Sequence, residues 1–268
     1  MKSNKPTVLI TGATGQLGQA LKELLELKAN YKVICTSSSN LDITVPGQIA
    51  DAFKKYEPDF CINCAAYTNV RLAETEKDKA YKVNADAPGI LARACEEYQT
   101  TLIHISTDYV FDGKKDAPYT ILDAPRPLNV YGASKLEGEQ NIEKHCSRYY
   151  IVRTSWLYNR NYGKNFYRTI LENAKKGKPM NIITSQKGTP TDVHNLAAYI
   201  CQLMEETPAY GIKHFSDEEV MNWYDFSVRI LKENDLDISL LTPIETLKND
   251  VVDRPLYSAL TAEANEQE

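Results

Sequence analysis

The sequence predicts an α/β fold: a doubly wound parallel sheet with a smaller lobe interleaved with it. Three observations lead there. Short apolar, β-branched runs recur through the first half, and each is followed by a segment of helical periodicity. Such alternation supplies the crossover connections that parallel strands need. A glycine-rich turn joins the first run to the first helix, at the kind of strand end where these sheets bind ligands.

Taken in order, "PTVLIT" is the first strand and "QLGQALKELLELKA" the first helix. "YKVICT" is a second strand, and proline opens the helix "PGQIADAFKKY". "DFCINCAA" is a third strand. The charged stretch from about Leu72 to Gln99 keeps an apolar stripe and reads as helical, with Pro88–Gly89 inside it. "TLIHIS" is a fourth strand, "YGASKLEGEQNIEKHC" a helix and "YYIVRTSWLY" a fifth strand. After Tyr158 the alternation loosens. "NFYRTILENAKKG" is a helix ended by Gly177, "MNIITS" a short strand, and "TDVHNLAAYICQLMEE" an amphipathic helix capped by Thr191 or Asp192. "NWYDFSVRILKEN" is a further helix.

The composition bounds the function. At 268 residues there is room for one large α/β domain with an accessory lobe. With 43% hydrophobic and 25% charged residues, disordered and fibrous classes drop out. The net charge of −5 comes with scattered Lys and Arg, so a nucleic-acid partner is not expected. The longest apolar runs are strand-sized, so no membrane span is expected. "MKSNKPT" leads straight into the first strand without a signal peptide, which points to the cytoplasm. Cys61 and Cys64 form a C-x-x-C, but they sit in a buried strand where residues three apart face opposite ways. Neither a second cysteine pair nor a nearby histidine completes a zinc set, and the four histidines are dispersed, so no metal is expected.

The chemistry concentrates at the strand ends. In "TGATGQLG", Gly12, Gly15 and Gly18 stand between strand and helix at three-residue spacing. Such a turn brings a pyrophosphate to a helix N-terminus, whose free N–H groups and dipole favour an anion. This makes the fold Rossmann-type, with residues 1–157 as the NAD(P)-binding domain and 190–207 returning to it. Residues 158–189 and 208–268 then form the smaller substrate-binding lobe. The second strand ends in Thr36, Ser37 and Ser38, without the carboxylate that would repel a 2′-phosphate; NADPH is accommodated and NADH stays possible. Asp42 and Ile43 are placed to cover the adenine edge.

"HISTDYVFDG" follows the fourth strand with Thr107, and Tyr131 and Lys135 come 24 and 28 residues later. Of 17 tyrosines, only Tyr131 has a lysine four places on. A ketone receiving a hydride builds charge on oxygen and needs a proton. A tyrosine can give it, and a nearby ammonium is expected to lower its pKa from about 10. Thr107 is expected to position the carbonyl oxygen.

With "LDIT", "NCAAYTNV", "STDYVFDG", "PLNVYGASKLEGE", "VRTSWLY", "GKNF", "GTPT" and "RPLYSAL" added to the glycine turn, the chain resembles the dTDP-4-dehydrorhamnose reductases of the extended short-chain dehydrogenase/reductase family, from about Thr7 to Leu260. The resemblance implies NADPH as hydride donor and the C4 ketone of a dTDP-linked 6-deoxyhexulose as acceptor. It implies a catalytic set of Thr107, Tyr131 and Lys135, with Gln16, Leu17, Ala65, Ala66 and Thr68 near the cofactor and Tyr109 and Trp156 near the sugar. It leaves monomer and homodimer open.

The chain departs from the family pattern in three places. Arg71 in "NVRLAE" stands where an acidic residue is usual. Ala20 replaces a glutamate through which some members bind magnesium at a dimer interface, so neither metal nor that dimer carries over. The chain also stops soon after "RPLYSAL", in "TAEANEQE". Two alternatives stay open. A dehydratase or epimerase of the extended family would carry a glutamate where Tyr109 stands. A non-catalytic dinucleotide-binding subunit, like the regulatory β subunit of methionine adenosyltransferase, shares the fold.

Overall fold

In the computed structural model, which describes residues 5–217, 219–246 and 252–261, the run Thr7–Thr11 forms β1 and is buried along its whole length. Burial on both faces is what a central parallel strand requires, and Val8, Leu9 and Ile10 meet it. β2 (Lys32–Cys35), β3 (Phe60–Asn63), β4 (Thr101–Thr107) and β5 (Tyr149–Thr154) follow. Beyond them come β6 (Leu157–Tyr158), β7 (Met180–Ile183), β8 (Lys187–Gly188), β9 (Thr191–Asp192), β10 (Gly211–His214), β11 (Met221–Asn222) and β12 (Leu241–Ile244). Among the described residues the main sheet runs β10-β5-β4-β3-β1-β2, with every pairing parallel.

Helices cover both faces. α1 (Gln16–Lys28) carries Leu17, Leu21 and Leu25 against Leu196, Ile200 and Leu203 of the later helix Val193–Glu206. On the other face lie α2 (Pro46–Tyr56), then α3 (Val70–Ala73) and α4 (Lys77–Tyr81), and α5 (Ala87–Glu97) and α6 (Val130–His145). Ile49, Phe53, Leu91, Cys95 and Ile142 form the core there. α7 (Phe166–Lys175) and, after α8 (Val193–Glu206), α9 (Trp223–Glu233) build a separate core with β7 and β12 around Tyr167, Ile170, Phe226 and Ile230. Cys61 belongs to one core face and Cys64 packs on the other, as the strand period requires.

The structure differs from the sequence reading in three places. The stretch 72–99 is not one helix: a π-helical turn, Lys82–Asp86, precedes α5. Pro88 in the first turn of α5 has no N–H to donate backward. Within the turn, Asn84 Oδ1 accepts from Tyr67 N (2.8 Å), while Nδ2 donates to Tyr67 O (3.0 Å) and Ser134 Oγ (3.1 Å). That ties the loop after β3 to α6. Next, "YYIVRTSWLY" breaks after Thr154. Ser155 Oγ donates to Thr189 O (2.6 Å), Trp156 turns left-handed at φ 46°, and Leu157–Tyr158 pair with Thr191–Asp192 instead. Finally, β10 adds a sixth strand to the main sheet beside β5, although its four residues lie in the span given to the smaller lobe. Leu260 likewise returns to bridge Tyr119 and packs against Val110 and Phe111. "GIKH" is too short to show a period, so its pairing comes from the tertiary fold.

All six cysteines are free. Among the described residues no group of three or more His, Cys, Asp or Glu is placed to hold a metal ion, and no helix is long and apolar enough to cross a membrane. Of the tail "TAEANEQE", residues 262–268 lie outside the described residues.

Candidate active site

A cavity of about 830 Å³ opens at the C-terminal ends of β1, β3, β4 and β5. The glycine turn forms one wall. Gly12 sits at φ +66°, and a Cβ there would stand 2.6 Å from Ala65 N, so only glycine lets the turn meet the loop after β3. Gly15, Gln16, Leu17 and Gly18 line the cavity beside it. α1 starts at Gly15 with no side-chain cap and no acidic residue in its first turn, whereas α6, α7, α8 and α9 are capped by Asn129, Asn165, Asp192 and Asn222. The first N–H groups of α1 are thus left for an anion. Asn165 Nδ2 donates to Gln16 Oε1 (2.7 Å), joining this wall to the start of α7.

Asp42, Ile43, Ala65, Ala66 and Thr68 line the same space. Asp42 Oδ1 accepts from Thr44 N (2.9 Å) and Thr44 Oγ1 (2.8 Å), which holds its carboxyl below the usual range. Ser37 is not among the lining residues. Its N–H goes to Asn40 Oδ1 (2.7 Å) and its hydroxyl pairs with Ser39 Oγ (2.8 Å), so Ser38 takes its place on the wall.

Thr107, Tyr109, Tyr131, Lys135 and Trp156 meet at the other end. Asn129 caps α6 by accepting from Gly132 N (2.8 Å), which sets Tyr131 in the first turn. Thr107 Oγ1 donates to Asp108 Oδ1 (3.0 Å) and accepts from Tyr109 N (3.2 Å). The Tyr131 and Thr107 side chains line the same end of the cavity, and the Tyr131 ring meets that of Tyr109 edge-on at 5.6 Å.

The Tyr131 pKa is raised, not lowered: burial dominates, the nearby Thr107 hydroxyl opposes it, and Asp108 and Tyr109 add to the rise. Lys135 points elsewhere, donating from Nζ to Ile105 O (2.6 Å) and lying 3.0 Å from His104 Nε2. Burial brings Lys135 down to about 8, against the pull of Glu139 and Cys64. A high phenol pKa does not disqualify a donor, because an alkoxide is the stronger base and the phenol stays protonated until it forms.

Sequence reasoning passed over several lining residues. Trp223 stacks on Trp156 with ring centroids 3.4 Å apart and planes at 3°. Trp156 in turn lies against Gly188, where a Cβ would come within 2.6 Å of its ring. Arg254 Nη1 donates to Tyr109 OH (3.1 Å). Asp108 is buried, its carboxyl pushed up to about 6 by burial. The only advance signals were the "RPLYSAL" block for Arg254 and the Thr–Asp adjacency for Asp108; Trp223 had none. Arg71, whose charge departs from the family pattern, is exposed on α3 and does not line the cavity; its neighbour Val70 does.

The chain is similar to known proteins. The family described as RmlD substrate binding domain matches residues 6–268. A dTDP-4-dehydrorhamnose reductase of Aggregatibacter actinomycetemcomitans is 40% identical over 231 residues, 84% of this chain and 78% of that protein. The spore coat polysaccharide biosynthesis protein SpsK of Bacillus subtilis (strain 168) is 35% identical over 260 residues, 97% of this chain and 90% of its own. Among solved structures, a dTDP-4-dehydrorhamnose reductase from Bacillus anthracis str. Ames in complex with NADP superposes with a TM-score of 0.93 at 36% identity, covering 97% of this chain and 91% of that one. The chain belongs to the RmlD substrate binding domain family, alongside the dTDP-4-dehydrorhamnose reductases to which it is similar.

Proposed function

We propose that the protein is an NADPH-dependent reductase of the C4 ketone of a nucleotide-linked 6-deoxy-4-ketohexose, converting dTDP-4-dehydrorhamnose to dTDP-L-rhamnose. One observation carries the reading: the glycine turn before the uncapped start of α1 and the side chains of Thr107, Tyr131 and Lys135 line one cavity. The chain's own residues fit a dinucleotide. The uncapped start of α1 receives the pyrophosphate, and Asp42, Ile43, Ala65, Ala66 and Thr68 flank the adenosine half. At the end of β2, the wall residue Ser38 is a neutral hydroxyl that accommodates a 2′-phosphate.

NADPH supplies the hydride that reduces C4. Tyr131 then gives its phenolic proton to the oxygen as charge collects there, leaving a tyrosinate, and the ketone becomes an alcohol. Thr107 orients that oxygen, its own hydroxyl fixed by Asp108. Lys135 as ammonium binds the cofactor ribose and stabilises the tyrosinate. Tyr109, steadied by Arg254, and Trp156, stacked on Trp223, hold the sugar. The protein works in the cytoplasm, as free buried thiols and a reduced nucleotide cofactor suit a reducing compartment, and acts as a monomer or homodimer.

The test is NADPH oxidation with the 4-keto sugar nucleotide. Turnover supports the reading. Tight NADPH binding without turnover would support the non-catalytic subunit instead.

A further inference from the structure

Four buried side chains lead from β1 to the cavity wall at Lys135, and their protons can be counted. Thr11 Oγ1 donates to Asn63 Oδ1 (2.7 Å), and Ala65 N donates to the same oxygen (3.2 Å). A backbone N–H can only donate, so the Asn63 amide keeps its oxygen toward Ala65 and its NH₂ toward His104. Asn63 Nδ2 lies 3.0 Å from His104 Nδ1, and His104 Nε2 lies 3.0 Å from Lys135 Nζ. Asn63 and His104 are 0% exposed, so water cannot repair a mismatch at either imidazole nitrogen.

A neutral imidazole has one N–H and one acceptor nitrogen. Asn63 uses the acceptor at Nδ1, which leaves the proton on Nε2, aimed at Lys135. An ammonium has only donors and would meet that N–H head-on. An amine can receive it on its lone pair and still donate to Ile105 O (2.6 Å). We propose that Asn63 and His104 are positioning residues that hold Lys135 as the neutral amine in the free protein, so that binding the anionic dinucleotide draws a solvent proton onto Lys135 while the His104 tautomer and the Asn63 amide turn over together. No bond other than N–H changes in this step. Turning the amide also releases Ala65 N–H, on a residue that borders the cavity.

The uptake step rests on the dinucleotide reading; the tautomer does not. Other groups face Lys135: Glu139 one turn on along α6, itself paired with Arg153 of β5, Cys64 after β3, and Tyr131 one turn back. Glu139 and Cys64 favour the ammonium, yet burial outweighs them, and it also holds the His104 imidazolium well below its ordinary range.

Long-range proton–nitrogen NMR of the four histidines, with His104 assigned through His104→Gln, reads the tautomer without any ligand. The Nε2–H form is expected in the free protein, and the Nδ1–H form would overturn the proposal. Asn63→Asp replaces the donor by an acceptor oxygen and should move the proton to Nδ1; an unchanged tautomer contradicts the assigned role of Asn63. Calorimetry of NADPH binding at pH 9 in buffers of different ionisation enthalpy should show uptake approaching about one proton per site in the wild type, and less than half of that in Asn63→Asp. Absent or equal uptake refutes the linkage. If Asn63→Asp does not fold, the wild-type tautomer and uptake decide alone. A failure of NADPH to bind counts against the cofactor reading and leaves the tautomer measurement standing.

Discussion

The backbone of Gly132 lies against the carbonyl of Tyr109 so closely that a Cβ on Gly132 would stand 2.1 Å from that oxygen. This contact locks the first turn of α6 onto the end of β4, and so fixes the distance between Tyr131 and Thr107. Neither partner can yield without moving Tyr131 or Thr107.

Gly132→Ala should therefore act on chemistry before binding. The methyl must push α6 away from Tyr109, and overpacking of this kind costs about 1–3 kcal/mol. We expect kcat to fall by about 100-fold or more, because a misplacement of about 1 Å has that effect. The Kd for NADPH should stay within about threefold. Steady-state kinetics with fluorescence titration checks both.

Trp223→Ala removes the ring beneath Trp156 while leaving the left-handed backbone at Trp156 intact. Stacked pairs contribute about 0.5–1.5 kcal/mol beyond burial. The KM for the sugar nucleotide should rise about three- to tenfold, with NADPH affinity unchanged. An unaltered KM would remove Trp156 from the sugar site.

Asp108 has a folded pKa of about 6 against 3.8 for the ordinary carboxyl, raised by burial. The folded state therefore binds more protons than the unfolded one between those values, and stability falls as pH rises through that window. Asp108→Asn keeps an acceptor for Thr107 Oγ1 without a charge. It should be more stable than wild type at pH 7 by about 1–3 kcal/mol and no more stable at pH 4, read by denaturant titration at both pH values.

Lys135 gives the pH dependence of activity. Its folded pKa is lowered from 10.5 to about 8, so the ammonium is lost as pH rises through that value. The kcat/KM for NADPH, which reports the free protein, should decline on the alkaline side with a midpoint at or below about 8. A profile flat to pH 9.5 would take Lys135 out of the working protonation state.

The doubly wound sheet was legible because its strands are buried on both faces and read as continuous apolar runs between amphipathic helices. The glycine turn and the Thr107, Tyr131 and Lys135 spacing were legible because chemistry ties them to strand and helix ends. What escaped were relationships across the chain. β10 joins β5 through only four residues without a period. Trp223 reaches Trp156 from 67 positions on, and Arg254 reaches Tyr109 from 145. Lys135 turns to His104, not to Tyr131, because a buried amine takes the nearest partners that β4 offers. Spacing gives residues that share an element; it does not give the partners that burial selects.

The central claim is that Tyr131 protonates the sugar oxygen, and Tyr131→Phe tests it most directly. Oxidation of NADPH by the 4-keto sugar nucleotide should be measured for wild type and variant, with NADPH affinity measured in parallel. Turnover is expected in the wild type, with a loss of at least about 100-fold in Tyr131→Phe, consistent with the size of general acid catalysis, at unchanged NADPH affinity. Equal turnover in the two proteins, or none in the wild type, would contradict it.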